Sequence, residues 1–279
     1  MKLWAHTLVR NEERYLWFAV MSVIDWVDKV LLWDTGSSDN TIKIIRELQK
    51  KYSSKVEFKE IGEVSPEEYT KARQAMLEKT NSDWFLVLDG DEVWWEDSIK
   101  KATDVLRKEG EELDSIVVPM VYPIGDIYHY QEEAAGKYEI DGRVGHFAVK
   151  FINRRIPGLY TSKPHGQHGY YDANNILIQE RSSQKRKFVN APFMHFTHMI
   201  RSSGLKEDRR VPKRDLKFKY ELGKKFPLDF YFPEVLFKER PSFIPSPWQR
   251  MSKNYFFKAF WQSPLRKIKR RVFRGKVGY

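Results

Sequence analysis

The chain has 279 residues, 41% of them hydrophobic, enough to enclose one large core or two small ones. It has no cysteine, which excludes disulfides, thiol nucleophiles and cysteine-held zinc, and no apolar run approaches the roughly 20 residues a bilayer-spanning helix needs. The formal charge of +11 is unevenly spread: 181–279 holds 26 Lys and Arg against seven Asp and Glu, whereas 1–180 holds 23 against 31.

Leu3 to Val9 reads as a first strand, broken by Arg10-Asn11-Glu12-Glu13, and Tyr15 to Trp26 as a helix with Leu16, Ala19, Val20, Val23 and Ile24 on one stripe. Val30 to Trp33 is a second buried strand, ending in Asp34-Thr35-Gly36-Ser37-Ser38-Asp39, and Asp39 is placed to cap a helix over Thr41 to Lys51. Val56 to Phe58 is a third strand. Ser65-Pro66-Glu67-Glu68 forms a capping box with proline at the first helical position, opening a helix to Lys79. Five apolar residues, Trp84 to Leu88, then make a short buried strand that ends in Asp89-Gly90-Asp91-Glu92. Ser98 to Arg107 reads as a helix and Ile116 to Tyr122 as a strand. This strand–helix alternation predicts an α/β fold with a mostly parallel sheet covered on both faces.

Beyond Tyr122 the alternation stops. Residues 123–145 read as a loop, Phe147 to Ile152, Ile176 to Ile178 and Phe188 to Phe196 as strands of a mixed extension, and Lys206 to Leu222 as a polar helix. The remainder is basic, aromatic and proline-punctuated, with Trp248, Met251, Tyr255, Ala259 and Gln262 at helical spacing.

Ligands bind at the carboxyl ends of parallel strands. Polar residues stand there three times: Asn11 and Glu12, Asp34, and Asp89 with Asp91. Neither of two common phosphate-binding glycine loops, GxGxxG after the first strand or GxxxxGK[ST], is present. A sheet that binds phosphates without such a loop most simply uses a divalent cation, and Asp89 and Asp91 are spaced to hold one while substrate phosphate oxygens complete the shell.

Thr7-Leu8-Val9-Arg10-Asn11-Glu12, Asp34 to Thr41, Ala72-Arg73-Gln74-Ala75 and Leu88-Asp89-Gly90-Asp91-Glu92 resemble, in this order, the nucleotide-binding motifs and DxD motif of family 2 glycosyltransferases with the GT-A fold. The resemblance implies a Rossmann-like GT-A catalytic domain over 1–200, with a nucleotide-sugar half (1–122) and an acceptor half (123–200), followed by a basic helical region over 201–279. It implies a nucleotide-diphosphate sugar donor, with Val9, Asn11, Glu12 and Asp34 holding base and ribose. It places Arg73 near the diphosphate or nucleotide, Asp89 and Gly90 against the nucleotide sugar, and Asp89 and Asp91 on Mn²⁺ or Mg²⁺. Lys150 to Arg155, Gly158-Leu159-Tyr160 and His165 are similar to a pattern of the lipopolysaccharide-core-type members, and Met194-His195-Phe196-Thr197 to their later strand-end histidine, which would make His195 a metal or diphosphate ligand. Here Gly166 follows His165 where that pattern has glutamate, so the general base is left among His165, His168 and Asp172. A zinc pair of His195 and His198 lacks a third ligand.

The expected activity is inverting transfer of a hexosyl group to a glycan, lipid-linked or other hydroxyl acceptor in cell-envelope polysaccharide synthesis. Tyr122, Tyr128, His129 and Tyr130 are offered as an acceptor wall. Aromatics beside Leu265 to Arg274 suit an anionic membrane surface reached through 246–279. With no signal-peptide layout at Met1 to His6, a cytoplasmic protein at the inner membrane face is expected. The basic tail also suits a nucleic-acid binder, but such a binder has no need of strand-end carboxylates in three places. A nucleotidyltransferase would show a basic glycine loop after the first strand, and a non-catalytic sugar-nucleotide binder is the reading that Gly166 leaves open.

Overall fold

The computed structural model describes residues 1–164 and 167–272. Its first half follows the apolar pattern: β1 (Leu3–Val9), α1 (Leu16–Val23), β2 (Lys29–Asp34), α2 (Thr41–Lys51), β3 (Val56–Glu60), α3 (Pro66–Lys79), β4 (Trp84–Val87), β5 (Glu92–Trp94), α4 (Glu96–Glu109) and β6 (Ser115–Val121). Strands β3, β2, β1 and β4 lie side by side and parallel. Unbroken apolar strands must be covered on both faces. One face is closed by Phe18 and Val20 of α1, Ile44 and Leu48 of α2, and Ile99 and Leu106 of α4, the other by Ala72, Met76 and Leu77 of α3. The expected α/β architecture with a mostly parallel, helix-flanked sheet is what the chain adopts.

The capping box forms as read: the Glu68 amide donates to Ser65 Oγ at 3.2 Å and the Ser65 amide to Glu68 Oε2 at 2.8 Å. Such a cap contributes about 1 kcal/mol. The α2 N-cap residue is Asn40, one beyond the expected Asp39, but Asp39 Oδ1 accepts the Thr41 amide at 2.9 Å and so serves that helix end from one residue upstream.

The second half departs from its reading in several places. The 123–145 stretch holds β7 (Pro123–Ile124), β8 (Asp126–Tyr130), β9 (Tyr138–Ile140) and β10 (Arg143–Gly145), paired as two hairpins whose turns use Gly125 and Gly142 at positive φ. β11 (Phe147–Asn153) runs antiparallel between β4 and β6. β12 (Tyr160–Ser162) and β13 (Gly169–Tyr171) form a small hairpin. Ile176 to Ile178 is no strand: only a single bridge, Tyr171 to Leu177, is made before a 3₁₀ turn. The single strand expected over 188–196 is two, β14 (Arg186–Phe188) and β15 (Phe193–His195), with Pro192, which lacks an amide donor, in the gap.

The expected helix over 206–222 is two four-residue helices, α5 (Leu205–Asp208) and α6 (Arg214–Lys217). Pro212, and Lys213 at φ 62, interrupt it. After β16 (Lys224–Lys225), α7 begins at Lys253 and runs to Val272, so Trp248 and Met251 lie ahead of the helix they were expected to join.

The sheet order is β3-β2-β1-β4-β11-β6-β15-β5. The four residues between β4 and β5 therefore link the middle of the sheet to its far edge, and β5 pairs with β15 so that His195 stands opposite Glu92. This register carries the acidic turn and the late histidine to one place.

Candidate functional site

The first two strand-end turns are built to hold one another. Asn11 sits at φ 54, a left-handed conformation asparagine tolerates; its amide donates to Ser37 Oγ at 2.8 Å and its Oδ1 accepts the Ser38 amide at 2.7 Å. Asp34 Oδ1 accepts the amides of Gly36 and Ser37, both at 2.9 Å, and Oδ2 takes the Ser37 hydroxyl. Asp34 and Asn11 thus shape the loops. Val9 and Glu12 face the neighbouring cavity, which Thr35, Ser65, Tyr69, Asp89, Gly90, Arg201, Arg214 and Lys217 also line.

The acidic turn is locked by close packing and by cations. A Cβ on Gly90 would stand 2.9 Å from Val9 Cγ1 and 3.0 Å from Glu12 Cγ, so only glycine lets the turn lie against the first loop. Asp89 Oδ1 accepts from Arg73 Nη2 at 3.1 Å, and Arg73, itself buried, also reaches Tyr69 Oη and His6 O. Lys150, the one charge in strand β11, reaches Glu92 Oε1 at 2.5 Å and Val87 O at 3.1 Å. Asp91 is fully buried; its Oδ2 lies 2.6 Å from Arg201 Nη1 and 3.4 Å from His195 Nε2. Arg201 also reaches Glu12 at 3.2 Å, and Arg214 reaches Glu12 at 2.5 Å, Asp208 at 3.0 Å and the carbonyls of Arg10 and Asn11.

These partners set the protonation states. Burial alone would raise Asp89 and Asp91, but Lys150 and Arg73 outweigh it at Asp89, and Arg201 and His195 at Asp91, so both stay ionised well below the ordinary range. At Glu92 burial prevails over Lys150 and lifts the carboxyl to about 7; at Glu12 it prevails over Arg201 and Arg214 and lifts it to about 8.

The cluster suits a hard divalent cation. Asp89, Glu92 and His195 each offer a ligand atom, all within 4.8 Å of one another. Asp91 Oδ1 is buried without a hydrogen-bond partner among the described residues, the state of an oxygen that a cation would complete. Carboxylate oxygens in the majority favour Mn²⁺ or Mg²⁺. Glu92 has both oxygens engaged, by Lys150 and by the Asp89 amide, which leaves Asp89, Asp91 and His195 as the members with capacity.

Asp172 and His168 are the base candidates among the described residues. Asp172 Oδ1 accepts the amides of Asn174 and Ile176, and Oδ2 pairs with Arg181, so the carboxylate is spent on its own turn. His168 stands edge-on to Tyr69, a residue of the cavity wall, with ring centres 5.3 Å apart. His165 lies outside the described residues. His198 donates from Nδ1 to Lys217 O at 2.8 Å and lies 3.1 Å from Lys219 Nζ, which is a structural rather than a zinc-binding arrangement.

Five side chains of the cluster and its cavity were not singled out as site residues in the sequence: Glu92, Lys150, Arg201, Arg214 and Lys217. A lone lysine in an apolar strand was the available signal for Lys150. The other three cations are indistinguishable, as residue types, from the rest of a basic tail.

The family model for Glycosyl transferase family 2 matches residues 6–205, and the chain belongs to that family. No curated protein matches it by sequence. Among solved structures it is similar to S. aureus TarS 1–349 in complex with UDP-GlcNAc (TM-score 0.48, 14% identity, 70% of this chain and 58% of that one). It is also similar to glucosyl-3-phosphoglycerate synthase from Mycobacterium tuberculosis in complex with Mn²⁺ and UDP-glucose (0.44, 16%, 74% and 73%) and to mannosyltransferase PcManGT from Pyrobaculum calidifontis in complex with GDP-Man and Mn²⁺ (0.39, 16%, 56% and 45%). The chain spans 37% of the longer TarS chain it matches.

Proposed function

We propose that this chain is a metal-dependent, inverting hexosyltransferase of the lipopolysaccharide-core type, moving a sugar from a nucleoside diphosphate to a hydroxyl of a glycan or lipid-linked acceptor. The observation that carries the reading is the convergence of three strand ends, with Glu12, Asp89/Asp91 and His195 meeting beside a cavity lined by Arg201, Arg214 and Lys217.

A bound Mn²⁺ or Mg²⁺, held by Asp89, Asp91 and His195, would supply Lewis-acid stabilisation of the leaving diphosphate. The protein's own side chains do the rest. Arg73 and Lys150 hold Asp89 and Glu92 in fixed geometry. Arg201 and Lys217 bring positive charge to the cavity wall, where the departing diphosphate keeps the electron pair of the broken anomeric bond. The acceptor oxygen forms the new bond on the opposite face and gives its proton to a base, for which His168 is the candidate that touches the cavity wall.

The C-terminal helix supports a membrane location. Its protein-facing stripe is Tyr255, Ala259 and Ser263, whereas Phe257, Phe260, Trp261, Leu265 and Ile268 are exposed, with Lys253 and Lys258 beside them. Aromatics amid lysines suit an anionic headgroup layer. No helix of the described residues is long and apolar enough to cross a membrane.

The test is release of nucleoside diphosphate from UDP-, GDP- and dTDP-sugars with and without Mn²⁺. One donor class is expected to be turned over with metal and none after chelation; absence of turnover across the panel, or turnover unaffected by chelation, would contradict the reading.

A further inference from the structure

A second, larger cavity of about 580 Å³ opens beside His195. Its walls include Tyr122, Tyr138, His146 and His198 from the body of the protein, and Arg266, Lys269 and Arg270 from α7. Lys137, Lys217 and Lys219 complete a ring of six cations, and among the described residues no Asp or Glu lines the cavity.

Among the described residues only Arg270 of this ring is ion-paired, with Glu221 and, at 3.4 Å, with Glu132. Lys137, Lys217, Lys219, Arg266 and Lys269 form no ion pair among the described residues, and Arg266 Nε is buried without a hydrogen-bond partner. The crowding is felt at Lys219, which burial and the neighbouring Arg270, Arg266 and Lys137 push down to about 8 despite Glu221. Concentrating like charges around a concave site costs free energy unless an anion occupies it.

The position of the cavity says which anion. His195 belongs both to this cavity and to the acidic cluster, and Lys217 lines this cavity and the donor cavity. A molecule filling the second cavity therefore meets the donor where the sugar changes hands, and Tyr122 and Tyr138 offer aromatic faces to a sugar or polyol ring.

We infer that the second cavity is an acceptor site selective for an anionic acceptor, a sugar or polyol whose phosphate or carboxylate group is held by Lys137, Lys219, Arg266 and Lys269 while its hydroxyl faces His195. This inference rests on the transferase reading for the direction of transfer, but the cation ring stands without it.

The experiment is calorimetric titration of the full chain, with the donor site filled by UDP and Mn²⁺, using glycerol 3-phosphate, glycerate and glycerol as probes. The two anions are expected to bind, more weakly as NaCl is added, and the neutral triol is not; which anion binds tighter tells phosphate from carboxylate. In Lys137→Gln/Lys269→Gln, two exposed positions, anion affinity is expected to fall at least about tenfold, the worth of one charge-assisted hydrogen bond, with UDP affinity unchanged. Glycerol binding as well as its phosphate, or anion affinity unchanged in the double variant, overturns the inference. If UDP itself fails to bind, the donor reading fails separately, and the same titration without UDP still decides the cavity.

Discussion

At the residue scale the site is a set of buried acids: the cations beside Asp89 and Asp91 keep them ionised, while burial prevails at Glu12 and Glu92. Asp91 and Arg201 are both buried, and removing one partner of such a pair leaves the other uncompensated. Lys150 and Glu92 form a second such pair. Lys150→Met alone is expected to lower stability by about 3 kcal/mol in urea unfolding, while Lys150→Met/Glu92→Gln recovers much of it; additive losses would show that the two residues do not act as a pair.

His6 gives a pH prediction. Burial against Phe85, with Arg73 nearby, lowers its pKa to about 3, so the folded protein holds it neutral while the unfolded chain protonates it near 6.5. The unfolded state then binds more protons between these values, and the His6 contribution, fully present above pH 6.5, is lost as pH falls toward 3. Glu12 and Glu92, raised above their free value of 4.5, act in the opposite sense: their contribution is present below 4.5 and is lost as pH rises through 7 to 8. Relative to His6→Gln, the wild type is expected to lose about 1.4 kcal/mol per pH unit between pH 6.5 and 5; parallel stability curves would contradict the assignment. At the residue scale, the meeting of the Asp89–Asp91 turn with His195 could be anticipated because motif and strand end coincide. The hydrogen bonds by which Asp34 shapes its loop and Arg73 anchors Asp89 leave no trace in residue type.

At the element scale, turns and strand register do the positioning. The β4–β5 turn works because Gly90 has no Cβ to push Val9 and Glu12 aside. Gly90→Ala is expected to keep the fold but lower kcat by at least about tenfold, since ångström-scale misplacement near the reacting centre costs that much or more; full activity would show the contact to be slack. Helices and strands of the first half could be read from periodicity and caps. The hairpins of 123–145 could not, because their short strands alternate too briefly to separate from loop. The break at Pro212 was readable in principle, but the polar composition around it read as one helix.

At the scale of the whole molecule, a C-terminal region far along the chain completes a site begun at residue 9. Arg201, Arg214 and Lys217 fold back onto the first loop, and α7 closes the second cavity while turning an apolar stripe outward. That return was invisible in the sequence, where these residues look like any other part of a basic tail. The outward stripe predicts flotation of the full chain with vesicles containing phosphatidylglycerol and its loss on truncation before Ser246; equal flotation of both forms would place membrane contact elsewhere.

The most direct test of the central claim, that the strand-end acids form a metal-dependent donor site, is calorimetric binding of Mn²⁺ and then UDP to wild type and Asp91→Asn. The account predicts that the wild type binds Mn²⁺, that UDP binds tightly only with Mn²⁺ present, and that Asp91→Asn, still folded by circular dichroism, loses the metal and with it the nucleotide. Equal Mn²⁺-dependent UDP binding by the folded variant would contradict it.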